Sequence, residues 1–356
     1  MSTRRGPTSE AVARRAGVSR STVSVVLNGA TNVTIAEETR LRVLEAAKDL
    51  GYVPSAAARQ LASGRARTIG LVISYAENLR TDAFVPRALY SLNDAARERG
   101  FRVLVEALED VTDPSAYREL VRGKQIDGLI VLDPRADDRA LPQLIEEGYP
   151  VVVIGHAGRE EEATRVDVDV DNVAAARTVT EHLTSLGRTR VAHVTYGPFA
   201  HHSVARRRRG WSEALRAAGI EPDPAWVEPA AFSADSGAAA MRRLLARTTP
   251  DAVFAGNDTV AFGAMTALRE AGLRIPEDVA VAGFDDIPLA AHANPPLTTV
   301  RLPAVQMGRA AAERLIRRIE GDPPATAPTF LDTELVVRAS SVGSATRTTE
   351  PPPVRT

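Results

Sequence analysis

Cysteine is absent from all 356 residues, which excludes disulfides, thiolate metal sites and cysteine nucleophiles. No run approaches the roughly 18 consecutive apolar residues of a membrane-spanning helix, so no membrane partner is expected. The opening stretch MSTRRGPTSEAVARR is basic but has no apolar segment behind it. It does not read as a secretory signal, and a cytoplasmic location is expected. Nucleotide and hydrolase signatures are missing too: there is no GxGxxG turn after the first strand, no GxxxxGK[ST] loop and no GxSxG elbow.

A net excess of either charge is nearly lacking, with a formal net of −1. That balance hides an asymmetry. Residues 1–67 hold 11 Arg and Lys against 5 Asp and Glu, leaving 33 basic and 40 acidic residues for the rest. A basic head on an acidic body points to an anionic partner for the head alone. Apolar residues make up 44% and charged residues 25%, enough to bury substantial cores. The length favours a small domain plus a larger one.

Residues 8–51 read as three short helices. Thr8 is an N-cap for apolar Val12 and Ala16, with Gly17 ending the turn. Ser19 caps a second helix with Val23, Val26 and Leu27 facing inward, and Asn28-Gly29 stops it. Thr34 with Glu37 forms a capping-box pattern for a third helix, whose Leu41, Leu44, Ala47 and Leu50 recur near helical period. A tight turn between the first two helices is the pattern of a helix-turn-helix. After Pro54, a short helix over 55–62 leads into a linker at Ser63-Gly64-Arg65. From Thr68 the rhythm changes to strand-like runs at 69–73, 102–105, 128–132, 151–155, 190–195, 251–255, 279–283 and 330–337. Amphipathic helices such as 85–99 and 173–186 lie between them. That alternation predicts parallel sheets covered on both faces, in two lobes. The tail from Ser344 is expected to be disordered.

The stretch 11–29, AVARRAGVSRSTVSVVLNG, resembles the LacI/GalR family of regulators. The resemblance continues through ETR at 38–40, LGYVP at 50–54, AARQL at 57–61 and TIGLV at 68–72. It resumes at GND 256–258, FGAM 262–265, VAGFDD 281–286 and PLTTV 296–300. It covers roughly residues 8–340 and implies an N-terminal all-α helix-turn-helix DNA-binding domain (8–52). A hinge helix and linker (53–67) follow, then an α/β two-lobed periplasmic-binding-protein-like domain for effector binding and dimerisation (68–340), with a disordered tail (341–356). Three crossovers should join the lobes near 166–169, 297–301 and 322–327.

For DNA, the resemblance assigns Thr8, Ser19, Arg20, Ser21, Thr22, Ser24, Val25, Asn28, Asn32, Ser55, Ala58 and Leu61. A recognition helix needs short polar and basic side chains opposite its apolar stripe, and Arg20 can present a fork to guanine O6 and N7. Thr8, Thr22, Asn28 and Asn32 suit phosphates, which set register without reading sequence. Val25 stands where many relatives carry arginine, so one base contact is replaced by apolar contact. Leu61 matches a leucine that wedges into the minor groove, with Ala58 a turn earlier where two hinge helices approach. One leucine and one head per chain imply a homodimer on a near-palindromic operator.

For the effector, the resemblance implies Tyr75, Phe84, His156, Ser203, Arg207, Phe232, Asn257 and Asp285. Polyhydroxyl ligands need paired donors and acceptors beside a stacking surface, gathered at the carboxyl ends of strands. Sugars lead as effector, with nucleobases behind. No cofactor, metal or catalytic residue is expected. Of Arg206-Arg207-Arg208-Arg209 only one or two should face the cleft, and His201-His202 should be exposed loop residues. The reading is a ligand-controlled transcription regulator, a repressor as is usual in the family. The alternatives are an α/β enzyme with a structural head, and a solute-binding protein; neither accounts for the head motif.

Overall fold

A computed structural model describes residues 7–28, 34–53, 60, 64–74, 81, 83–108, 110, 113, 115, 117–157, 165–197, 201–323 and 327–342. The chain divides into two compact units: Met1–Thr68 with Leu120–Asp127, and Ile69–Glu119 with Gly128–Thr356.

In the first unit, helices α1 (Ser9–Ala16), α2 (Arg20–Asn28) and α3 (Glu37–Asp49) enclose a small core of Val12, Ala16, Val23, Val26, Val43, Ala46 and Ala47. Gly17 ends α1 at φ 67°, its N–H donating to the Ala13 carbonyl, a left-handed position that glycine adopts without steric cost. The third helix departs from expectation. It begins at Glu37 with Ala36 as a cap that makes no side-chain bond, so the Thr34–Glu37 capping box does not form. Its buried stripe is Val43, Ala46 and Ala47, while Leu41 and Leu44 are 57% and 43% exposed. Ala47 is inside and Leu50 packs on the core as expected, while contact with α1 and α2 turns Val43 and Ala46 inward in place of Leu41 and Leu44.

The second unit contains two six-stranded sheets. The first has the order β13-β7-β4-β3-β1-β2, from β1 (Thr68–Ile73), β2 (Arg102–Ala107), β3 (Gly128–Leu132), β4 (Val151–Ile154), β7 (Val168–Val170) and β13 (Thr329–Leu331). Outside it, β5 (His156–Ala157) and β6 (Arg165–Val166) pair as an antiparallel ribbon. The second sheet has the order β14-β12-β11-β10-β8-β9, from β8 (Val191–Val194), β9 (Val227–Glu228), β10 (Ala252–Ala255), β11 (Ala280–Asp285), β12 (Thr298–Arg301) and β14 (Glu334–Val336). The central strands β3, β4, β8 and β10 are buried at every position, as expected for parallel strands covered on both faces.

Helices α4 (Phe84–Glu98), α5 (Arg118–Arg122), α6 (Ala140–Glu146), α7 (Asn172–Ser185), α8 (His202–Ala217), α9 (Ala234–Leu245), α10 (Asp258–Glu270), α11 (Ala304–Glu320) and α12 (Ala339–Val342) are the other α-helices among the described residues. Close helix contacts depend on small residues. A Cβ at Gly263 of α10 would lie 1.9 Å from the Ala234 carbonyl oxygen of α9, so only glycine fits. Helix α11 is fixed to the first sheet by a buried ion pair, Arg318 Nη2 to Asp167 Oδ1 at 2.6 Å, while Asp167 Oδ2 accepts the Val153 N–H at 3.0 Å. No described helix is long and apolar enough to cross a membrane.

The chain passes between lobes at Asp171, at Leu302–Pro303 and at Asp332–Thr333, where flanking elements belong to different sheets. The third passage corrects the expected position at 322–327. The run 330–337 is accordingly two strands in two sheets, not one.

One core residue carries a pH signature. His193, at 1% exposure in β8, stacks on Phe254 with ring centroids 4.7 Å apart and lies 5.8 Å from Trp211. Its Nδ1 meets the Phe254 carbonyl at 2.9 Å, while Nε2 has no hydrogen-bond partner among the described residues. Burial, the main cause, lowers its pKa to about 4. An unfolded histidine titrates near 6.5, so between those values the unfolded chain binds the extra proton and stability falls as pH falls. The shift corresponds to about 3 kcal/mol lost from this one group by pH 4. Asp258 opposes it: burial pushes its carboxyl up to about 7, so its contribution declines as pH rises across the same window. The expected result is therefore a difference between chains. In urea unfolding from pH 7.5 to 4.5, His193→Phe should lose less stability than the parent, and parallel curves would contradict this account.

Candidate functional site

In the head, local chemistry sets the exposed face of α2. Thr8 Oγ1 accepts the Ala11 N–H at 3.3 Å as the cap of α1, which leaves its hydroxyl proton available to a phosphate. Ser19 Oγ accepts the Thr22 N–H at 3.1 Å and lies 2.6 Å from the Ser21 hydroxyl and 2.9 Å from that of Thr22. Ser19 is thus a helix cap as well as a surface residue. Arg20 and Ser21 are exposed, Thr22, Ser24 and Val25 are half-buried, and Val23 and Val26 are buried. Among the described residues Arg20 has no ion pair, so its guanidinium is available to an outside partner. Asn28 ends the helix. Its side chain, together with Asn32, Ser55, Ala58, Leu61 and Tyr75, lies outside the described residues.

In the second unit a cavity with an empty volume of about 550 Å³, part of it open to solvent, collects side chains from both lobes. Phe84, Ser203, Arg207 and Asp285 line it, as expected residues brought together by the fold. Arg207, only 4% exposed, is the most constrained. Its Nε donates to Asn172 Oδ1 at 3.0 Å, its Nη1 donates to the Gly256 carbonyl at 2.5 Å, and Nη1 is 3.8 Å from Asp285 Oδ1. The guanidinium carbon lies 3.6 Å from the Phe284 ring centroid and 4.6 Å from that of Tyr196, within cation–π range.

Asp285 and Asp286 adopt φ 111° and 48°, a backbone that side-chain-bearing residues rarely enter without support. The support is visible. Arg87 Nη1, from α4, donates to both carbonyls at 3.3 and 3.2 Å. The Asp286 carboxylate accepts from Arg338 at 2.7 Å and Arg301 at 2.8 Å.

Other expected residues are placed differently. Phe232 is fully buried behind the wall, edge-on to Tyr196 with centroids 5.4 Å apart, and does not line the cavity. Asn257 caps α10 by accepting the Val260 N–H at 2.8 Å and is also absent from the lining. His156 is buried with Nδ1 2.8 Å from Asp169 Oδ2, so it reaches the cavity through Asp169. His201 and His202 are buried rather than exposed. His201 Nδ1 lies 3.2 Å from Asp133 Oδ2, and the His202 ring is 5.9 Å from that of His156. Their position at the start of α8, against the other lobe, is why loop exposure was the wrong expectation.

Several lining residues escaped sequence reasoning: Asp133, Asp169, Asn172 and Tyr196. Asp133 directly follows β3, and Tyr196 follows β8 closely, so the rule that ligands bind beyond strand carboxyl ends could have found both. Ser203 Oγ donates to Asp133 at 3.0 Å and accepts from the Tyr196 hydroxyl at 2.7 Å. Burial raises Asp133, but His201, Ser203 and Arg207 outweigh it and hold the carboxyl below its ordinary pKa. Burial drives the Tyr196 phenol well above its ordinary value, leaving a neutral donor. The cavity therefore presents three carboxylates, one guanidinium, hydroxyl and amide groups, and an apolar floor of Leu132, Ile154, Val170, Leu302 and Met307.

Residues 10–55 match the model of bacterial regulatory proteins of the lacI family, and residues 180–341 match that of the periplasmic binding protein-like domain. The HTH-type transcriptional regulator CelR of Thermobifida fusca is 40% identical over 343 residues, covering 96% of this chain and 100% of that one. The HTH-type transcriptional repressor CytR of Escherichia coli K12 is 31% identical over 332 residues, covering 93% and 95%. Among solved structures, a CelR–cellobiose complex aligns with TM-score 0.72 at 38% identity, over 94% of this chain and 99% of that one. A lac repressor dimer bound to operator and the anti-inducer ONPF aligns with TM-score 0.82 at 27% identity, over 95% and 100%. These relatives are DNA-binding transcriptional regulators, not enzymes, and their similarity runs through head and body alike. The chain belongs to the LacI family of bacterial transcriptional regulators.

Proposed function

We propose that the protein is a homodimeric repressor whose hold on a near-palindromic operator is controlled by an uncharged saccharide in the cavity around Arg207. The proposed organisation is a DNA-binding head over 8–52, a hinge and linker over 53–67, an effector-binding and dimerising body over 68–340, and a tail over 341–356. Thr8, Arg20, Ser21 and Ser24 would meet DNA, together with Ser55, Ala58 and Leu61 of the hinge. Phe84, Ser203, Arg207 and Asp285 would meet the effector.

The observation that carries the effector class is the polar balance of the cavity. Asp133, Asp169 and Asp285 are acceptors for vicinal hydroxyls, Arg207 is a fixed donor, and Tyr196 and Phe84 add aromatic surface. Three carboxylates against one guanidinium disfavour an anionic ligand such as a sugar phosphate. The solved complex of CelR with cellobiose supports a β-linked disaccharide as the first ligand to try. That CytR is a named repressor supports repression.

The test is a gel shift on DNA upstream of the protein's own gene, with cellobiose, glucose 6-phosphate and purine bases added in turn. Binding should weaken steeply with salt, because basic side chains displace counterions from phosphates. Cellobiose should alter the shift and glucose 6-phosphate should not. A response to a purine base alone would replace the saccharide by a nucleobase.

A further inference from the structure

The linker ahead of β1 is gripped by a single carboxylate from a remote part of the sequence. Asp127 Oδ1 accepts the Ala66 N–H at 2.7 Å, and Oδ2 accepts the Arg67 N–H at 2.6 Å. The Asp127 N–H donates to the Thr68 carbonyl at 2.7 Å, so one residue holds three consecutive positions. Thr68 Oγ1 closes the turn by donating to the Ala66 carbonyl at 3.3 Å. Nearby, the Gln60 side-chain amide donates to the Lys124 carbonyl. The segment Leu120–Asp127 clusters with the linker in one compact unit.

The geometry is not generic loop packing. Arg67 lies at φ 53°, a left-handed conformation that persists in a side-chain-bearing residue only when its surroundings over-determine it. Two successive N–H groups turned toward one anion form such a constraint, and hydrogen bonds to an ionised acceptor are the stronger kind. Asp127 is only partly buried, so this carboxylate is not needed to fill a core. The residue after it, Gly128, opens β3, and at the other end of that strand Leu132 and Asp133 line the cavity.

We propose that Asp127 is a positioning residue for operator binding: its carboxylate fixes the register in which the linker leaves the body, so that the head is presented to DNA pre-ordered. Without it the linker samples more conformations, and binding must order them at an entropic cost incurred in each subunit of a dimer. The inference rests on the family's DNA binding and not on the effector's identity, so a failed saccharide assignment leaves it standing.

The experiment uses the full chain and the duplex that the parent protein selects from a random-sequence library. Asp127→Ala should bind that duplex about tenfold more weakly or worse, the scale of re-ordering about one residue of freed backbone on binding. Its slope of affinity against salt should be unchanged, since the head's phosphate contacts are untouched. Asp127→Asn, which keeps one acceptor oxygen for one of the two N–H groups, should fall between. Deuterium uptake in the peptide spanning residues 64–68 should rise in the same order. A purely structural role would lower the urea midpoint but leave the folded protein's affinity alone. Parent-like affinity for Asp127→Ala, or uptake as slow as in the parent, overturns the proposal. Should the alanine variant fail to fold, parent-like affinity and uptake in Asp127→Asn overturn it equally.

Discussion

Replacing Asp285 by alanine is expected to remove the response to the effector while the protein still binds its operator. Two effects act together at this position. The carboxylate that faces Arg207 Nη1 at 3.8 Å is lost, and with it the charge-assisted bonds a ligand hydroxyl would make, each worth about 1.5–3 kcal/mol. The backbone at φ 111° is also poorly tolerated by alanine, whereas asparagine enters positive φ several-fold more readily than most residues. Effector affinity should therefore drop about 100-fold or more in Asp285→Ala, with a smaller loss in Asp285→Asn, which retains an acceptor. Calorimetric titration measures the affinity, and a gel shift with and without ligand measures the response. A normal response in Asp285→Ala would remove this residue from the effector site.

The second large effect lies in the head. Arg20 stands exposed in the first turn of α2 with Val23 and Val26 anchoring the opposite face. Arg20→Ala should weaken binding to the selected duplex by about 1–3 kcal/mol, or roughly 5- to 150-fold, and relax preference at a guanine. Arg20→Lys should recover little of it, because an ammonium cannot present the two-pronged fork. Competition titrations against single-base variants of the duplex separate the possibilities. An equal loss on every sequence would make Arg20 a phosphate contact instead.

The parts of the molecule that could be read from the chain are those governed by neighbours in sequence. Thr8, Gly17 and Ser19 delimit α1 and α2 through bonds that span only a few residues, so their residue types announce the helices. The uninterrupted apolar strands such as Gly128–Leu132 were equally legible, because burial on both faces leaves no alternation to misread. Helix α3 is legible only in part: Ala47 is buried and Leu50 packs on the core as expected, but Leu41 and Leu44 mimic a buried stripe and only tertiary contact shows that Val43 and Ala46 are inside instead. The run 330–337 was misread because periodicity carries no record of which sheet a strand joins; the switch at Asp332–Thr333 is a property of topology.

The cavity divides in the same way. Arg207 and Asp285, expected from short motifs, line it, whereas Asp133, Asp169, Asn172 and Tyr196 converge from separate strand ends and share no local pattern. Arg87 was invisible for a further reason. Its task is to steady the Asp285–Asp286 carbonyls from another helix, and nothing in its own neighbourhood predicts a strained dipeptide some two hundred residues away.

The third passage between lobes has a consequence for synthesis. The first sheet opens with β1 at Thr68 and gains its edge only with β13 at Thr329–Leu331, which follows α11 in the chain. Neither lobe can finish folding until almost the whole chain has left the ribosome, and such long-range closure is slow. The head depends on contacts within its own three helices. A nascent or truncated chain would thus carry an assembled helix-turn-helix before either lobe of the body is closed.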